Sequence, residues 1–170
     1  MGTHIRREHA GDAPTIRAVH LAAFDSPFEA DLVERLRGEL HPWHSFVAET
    51  DGAVVAHVSF SPVTMTPTPK HPVALVGLGP MAVFPEHQGR GIGSALADGA
   101  LAALGAEGVD AVFVLGHPEW YPRFGFRPAQ RFGIALALDA PAEAFMALEL
   151  VPGVLLNISG KVSYHKAFTT

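Results

Sequence analysis

The stretch from Val73 to Leu115 constrains the fold more than any other part of the sequence. An apolar strand runs from Val73 to about Phe84, and a glycine-rich turn then opens a helix over Gly89 to Leu104. In that helix Ile92, Leu96, Ala100 and Leu104 recur four apart, with Ala97 and Leu101 beside them, so one face is continuously apolar. Gly105 and Gly108 bracket its exit, and Asp110-Ala-Val-Phe-Val-Leu reads as a short strand. Strand, helix and strand in this order predict a crossover joining two parallel strands. A crossover needs helices packed on a sheet, which gives a mixed α/β fold. The chain has 170 residues, 48% of them hydrophobic, so residues 1–170 are expected to form a single domain with one sizeable core.

The flanking segments fit that architecture. A short edge strand is predicted through Arg6. Asp12 is placed to cap a helix with Pro14 in its first turn, and Ile16, Val19 and Ala23 recur at helical spacing. A second helix is predicted from Ser26 and Glu29, which have capping-box spacing, with Pro27 at the first helical position. Leu32, Leu36 and Leu40, helped by Val33, form its inner stripe, and Pro42 stops it. Asp51-Gly52 predicts a tight turn joining strands at Phe46–Thr50 and Ala53–Phe60. Strict alternation there puts Val54, Ala56, Val58 and Phe60 on one face and His57, Ser59 and Ser61 on the other. Pro62, Pro67, Pro69 and Pro72 mark the next stretch as a loop. One or two helical turns are expected from Pro118 to Phe124, ending near Gly125, with further strands at 132–138, 145–150 and 160–165.

The chemistry starts at Leu78-Gly-Pro-Met-Ala-Val-Phe-Pro-Glu-His-Gln-Gly-Arg-Gly-Ile-Gly-Ser. Gly89, Gly91 and Gly93 let the backbone approach a ligand closely. Amides at a helix start point outward without partners, and the helix dipole reinforces them. Together they suit a pyrophosphate without a metal, and Arg90 adds charge. A Walker loop is excluded because no lysine and hydroxyl pair follows the glycines. The dinucleotide fingerprint is excluded by the spacing Gly89-x-Gly91-x-Gly93.

Gln88-Gly-Arg-Gly-Ile-Gly resembles the Q/R-x-x-G-x-G/A signature of the GCN5-related N-acetyltransferases, the GNAT superfamily. The resemblance implies an acyl-CoA N-acyltransferase fold, with a central mixed sheet, flanking helices and a splayed parallel strand pair. It implies acetyl-CoA as cosubstrate, its pyrophosphate held by the amides of Gln88, Gly89, Arg90, Gly91, Ile92, Gly93 and Ser94. Met81, Ala82 and Val83 would line the pantetheine arm, with strand-like backbone bonds from Met81 and Val83. Pro80 agrees with a local loss of strand pairing, because proline removes a ladder donor.

A second segment, Leu115-Gly-His-Pro-Glu-Trp-Tyr-Pro-Arg-Phe-Gly-Phe, is rich in aromatics that suit packing on a sheet. Tyr121 also carries a hydroxyl that needs a partner if buried. The segment resembles the family's tyrosine-containing helix before Gly-Phe, and is closest to a predicted N-acetyltransferase subgroup with Gly-x-Pro-x-Tyr-Tyr-x-Arg-Phe-Gly-Phe, where Trp120 replaces the first tyrosine. By that resemblance Tyr121 is the general acid for the departing thiol, and an amine attacks the thioester directly. Candidate bases are Glu49, Glu86, His117 and Glu119, with a water chain as the alternative. Two rival readings stand beside this one: a CoA-binding regulatory or interaction domain without turnover, and a transferase of another acyl group.

Composition narrows the field further. Seventeen acidic against twelve basic residues give a formal charge of −5, with no basic run of the kind nucleic-acid binding needs. Without cysteine the chain forms no disulfide, thiolate metal site or cysteine nucleophile. The ten histidines lack metal-ligand spacing, so no metal is expected. The Gly-x-Ser-x-Gly elbow of serine hydrolases is missing. Met1-Gly-Thr-His-Ile-Arg-Arg-Glu lacks a secretion signal's apolar core, and no apolar run reaches membrane-spanning length. A cytoplasmic protein is expected, with no membrane or nucleic-acid partner, acting on a small-molecule or peptide amine. An exposed sheet edge would support a homodimer.

Overall fold

The computed structural model describes residues 2–169. It has ten strands, β1 (Thr3–Arg7), β2 (His44–Thr50), β3 (Ala53–Pro62), β4 (Thr64–Thr66), β5 (Leu75–Val83), β6 (Ala111–Leu115), β7 (Arg127–Pro128), β8 (Ile134–Leu136), β9 (Phe145–Glu149) and β10 (Gly160–Ser163). The α-helices are α1 (Ala13–Ala23), α2 (Phe28–Glu39) and α3 (Ile92–Ala106). Seven strands form a mixed sheet in the order β1-β2-β3-β5-β6-β9-β7, and β4-β10-β8 form a second sheet. The predicted α/β class and mixed sheet are therefore present.

Contacts divide the chain into two compact units. The first comprises residues up to Ser61, Gly79–Ala103 and the residues from Ala167 onward; the second comprises Pro62–Leu78 and Leu104–Lys166. Strand β5 passes from the second into the first after Leu78.

In the first unit β1 pairs antiparallel with β2, and β2 with β3. The hairpin turns at Asp51 and Gly52, whose φ values of 53° and 79° are those of the two-residue turn the Asp-Gly pair predicted. Ile16 of α1, Val33 of α2 and Val47 of β2 form one buried cluster, and Leu32, Leu36 and Ala167 form another. The opposite face carries α3, where a Cβ at Gly99 would meet the side chain of Ile5 at 2.9 Å.

Several local expectations are corrected here. Asp12 precedes α1 but does not cap it with its side chain, because Arg6 holds the carboxylate at 2.7 Å and the His9 amide takes it at 2.6 Å. The Ser26–Glu29 capping box does not form: α2 begins at Phe28, whose amide donates to Ser26 Oγ at 3.2 Å. The β2–β3 register shifts between Ala48 and Glu49, which pair with Ala56 and Val54. That bulge breaks the alternation, so Val54 packs with Ile16, Val33 and Val47 instead of sharing a face with Ala56.

In the second unit β5 and β6 run parallel, as the crossover required, with Leu75 opposite Ala111 and Leu78 opposite Val114. Strand β9 pairs antiparallel with β6, and β7 with β9. Phe113 stacks on Phe145 within a cluster that includes Met65, Ile134, Leu155 and Val162. The proline-rich loop is not wholly irregular, because Thr64–Thr66 pairs antiparallel with β10. The predicted strand at 132–138 is mostly a turn, with only Ile134–Leu136 extended. No helix among the described residues is long and apolar enough to cross a membrane.

Candidate functional site

The glycine-rich segment lies in the first unit. After β5, Pro85–His87 forms a 3-10 turn, and Gln88 Nε2 donates to the Val83 carbonyl at 3.0 Å, tying the turn to the strand end. Gly89 and Gly91 have φ of +76° and +80°, a region that side-chain-bearing residues rarely adopt. A Cβ at either would meet no atom within 4 Å. Backbone conformation therefore requires glycine at both positions, and the space beside them is open to a ligand.

Helix α3 starts at Ile92, later than the sequence predicted, and its first hydrogen bond runs from the Ala95 amide to the Gly91 carbonyl at 3.0 Å. The Gln88 amide, expected to belong to the phosphate-binding row, donates instead to the Pro85 carbonyl at 3.2 Å, whereas among the described residues no protein acceptor meets the amides of Gly89, Arg90, Gly91, Ile92, Gly93 or Ser94. Ile92 is buried and anchors the turn in the core, whereas Gly89, Arg90 and Gly91 are exposed. The result is an open row of hydrogen-bond donors at a helix start, the arrangement that binds phosphate oxygens. Ala82 is buried, and Met81 and Val83 are half-buried beside it on β5.

Tyr121 lies in the second unit, in a one-turn 3-10 helix Tyr121–Phe124 that ends at Gly125 with φ of 101°. The amides of Trp120 and Tyr121 both donate to the His117 carbonyl, at 3.1 and 3.3 Å, so His117 organises the turn through its backbone. The Tyr121 ring meets Trp120 and Phe126 edge-on, at centroid distances of 4.9 and 5.6 Å. It also lies against Gly116, where a Cβ would come within 2.5 Å of Cε2. Gly116 is thus a site-shaping residue the sequence reading had not singled out, although it opens the aromatic phrase.

Tyr121 is only 8% exposed, and burial pushes its hydroxyl up to about 12. The hydroxyl therefore stays protonated through the neutral range, as a proton donor must. Among the described residues it has no protein hydrogen-bond partner.

The candidate bases are not equivalent. Glu49 is committed to Arg6, whose Nε donates to it at 2.7 Å. Glu86, His117 and Glu119 are exposed in turns. No group of three or more His, Cys, Asp or Glu side chains among the described residues is placed to hold a metal ion.

A buried polar chain in the first unit escaped the sequence reading. His20 and His57 are both fully buried, and His20 Nε2 lies 2.8 Å from His57 Nδ1. His57 Nε2 is 2.8 Å from Ser45 Oγ, which donates to Glu8 at 2.8 Å. Arg37 holds the same carboxylate through Nε and Nη2, both at 2.8 Å. With both rings neutral, His20 donates to His57 and His57 to Ser45, leaving His20 Nδ1 as the unpaired acceptor. Burial, followed by the positive charge of Arg37, lowers His20 to about 4; burial, then His20 and Arg37, hold His57 well below its ordinary value. The signal available in sequence was position alone: His20 stands four residues after Ile16, on the buried side of α1.

Comparison with known proteins decides the family. A family model described as an acetyltransferase (GNAT) domain matches residues 4–129. The chain belongs to the GNAT acetyltransferase family. It is 34% identical over 165 residues to the N-acetyltransferase YhbS of Escherichia coli K12, covering 96% of this chain and 97% of that protein. The crystal structure of Escherichia coli YhbS in complex with CoA matches with a TM-score of 0.91 over 99% of this chain and 92% of that one. A GNAT family acetyltransferase from Brucella melitensis, solved in complex with acetyl-CoA, is 36% identical with a TM-score of 0.77, covering 98% of each chain.

Proposed function

We propose that this GNAT protein transfers the acetyl group of acetyl-CoA to an amine by direct attack. The observation that carries the reading is the unpartnered row of amides from Gly89 to Ser94 at the open start of α3. Its donors suit the CoA pyrophosphate, and the complexes of the two similar proteins with CoA and acetyl-CoA support the same assignment. Met81, Ala82 and Val83 would line the pantetheine arm, and Arg90 would add charge beside the phosphates.

In the reaction, the amine nitrogen bonds to the thioester carbonyl carbon and the carbon–sulfur bond breaks. The Val83 amide would donate to the carbonyl oxygen as it gains charge. Tyr121 would supply the proton that the departing sulfur takes up, and solvent would restore it. The proton lost by the amine would leave through Glu86, His117, Glu119 or water. Holding both reactants together accounts for much of the expected acceleration. Operation in the cytoplasm as a single domain belongs to the same proposal.

A turnover screen with acetyl-CoA over pooled primary amines, with product identification by mass, tests it. A product heavier than its amine by one acetyl group, formed together with free CoA thiol, is expected. Release of neither from any pool, peptides included, would count against transfer and favour a binding domain.

A further inference from the structure

We propose that Tyr164 sets the length of the acyl chain this protein accepts and restricts it to acetyl. This rests on the transfer reading above.

The parallel register of β5 with β6 runs from Leu75–Ala111 to Leu78–Val114 and stops there. One rung before the end, Gly77 stands opposite Phe113. The ring of Tyr164 lies directly on the backbone at that rung: a Cβ on Gly77 would fall 2.5 Å from Cζ, 2.6 Å from Cε2 and 2.8 Å from the hydroxyl oxygen. No side chain fits beneath this ring, so glycine at 77 and tyrosine at 164 form a matched pair. The Tyr164 hydroxyl donates to the Phe113 carbonyl at 3.1 Å, so the side chain bridges from β5 to β6. Phe113 is itself fixed by its stack on Phe145 at 5.6 Å.

The ring therefore covers the rung next to the last pair, just before the two strands cease to bond. It also lies within electrostatic reach of Tyr121, which, after burial, is the second cause raising the Tyr164 hydroxyl far above its ordinary value. A ring seated on Gly77 and hydrogen-bonded to the Phe113 carbonyl, in a strand pair that opens one rung further on, forms a stop for whatever chain extends from the reacting carbonyl. An acyl chain of two carbons fits such a stop differently from one of four, because a close-packed wall does not yield by a methylene without strain.

The test compares acetyl-, propionyl- and butyryl-CoA with the folded protein, by calorimetric binding and by kcat/KM on one amine. The intact protein is expected to favour acetyl over butyryl at least tenfold in kcat/KM, the scale at which a shaped pocket discriminates methylenes. Tyr164→Ala and the less drastic Tyr164→Val should shrink that ratio about tenfold or more, while Tyr164→Phe, which keeps the ring, should preserve it. Equal binding and use of acetyl and butyryl esters by the intact protein would overturn the role of Tyr164 and leave acetyl transfer standing. So would a ratio unchanged in both truncated variants. Failure of the intact protein to bind CoA or any of its esters would overturn the transfer reading itself, and this inference with it.

Discussion

Tyr121→Phe is expected to lower turnover at least tenfold while acetyl-CoA binding changes little. The ring would stay where it is, held edge-on by Trp120 and Phe126 and seated against Gly116. Only the hydroxyl is lost, and no protein group depends on it among the described residues. Thermal stability should therefore be almost unchanged, which separates a chemical role from a structural one. A tenfold loss corresponds to about 1.4 kcal/mol of transition-state stabilisation, a minimum set below the roughly 100-fold that a positioned acid typically supplies. The pH dependence adds a second check. With its hydroxyl pushed up to about 12 by burial, Tyr121 remains a donor well past the pH at which an exposed tyrosine ionises. Turnover should show no loss assignable to Tyr121 between pH 7 and about 10. Wild-type turnover in Tyr121→Phe on the true acceptor would remove Tyr121 from the acid role.

Acid should destabilise the fold in a window set by two buried histidines. In the unfolded chain both titrate at their ordinary value of 6.5, whereas in the folded protein His20 titrates at about 4 and His57 well below 6.5. As pH falls below 6.5 the unfolded state takes up protons that the folded state refuses, so stability is full above that pH. It is then lost progressively as pH falls toward 4. His20 alone accounts for roughly 3 kcal/mol over that interval, and His57 adds to it. Against an ordinary domain stability of about 5–15 kcal/mol this is a large fraction. Asp12 acts elsewhere: Arg6, and then the His9 amide, lower its carboxyl, so its contribution is lost only below 3.8. Urea midpoints measured from pH 7.5 to 4.5 should fall steeply below 6.5. Replacing both histidines with leucine should flatten that slope, and a flat profile in the unaltered protein would contradict the account.

What the sequence disclosed was mostly local. The Asp51-Gly52 turn, the Gly125 stop after Tyr121 and the Ile92–Leu104 stripe each carry their signal within a few residues, and each formed. The parallel pairing of β5 and β6 across α3 followed from chain order. Non-local competition hid the rest. Asp12 looked like a cap until Arg6, from a neighbouring strand, took its carboxylate. Thr64–Thr66 looked like loop because its partner strand, β10, lies far along the chain. The bulge opposite Ala48 and Glu49 left no mark in the apolar pattern, yet it moved Val54 to the other face. In the candidate site the clustered glycines announced a tight turn before α3, and Gly89 and Gly91 adopt the positive φ that such a turn needs. The His20–His57 contact joins a helix to a strand, and nothing in either segment foretold the other.

Calorimetric titration of the folded protein with CoA, run beside Gly91→Val, shows whether the open amides at the start of α3 take up the carrier. Saturable binding is expected for the unaltered protein, and at least tenfold weaker binding for the variant. At φ of +80° a β-branched residue is strained by about 1–2 kcal/mol or more, and relief of that strain turns the amides of the cradle away. Folded, unaltered protein that takes up neither CoA nor acetyl-CoA would contradict a phosphate cradle there.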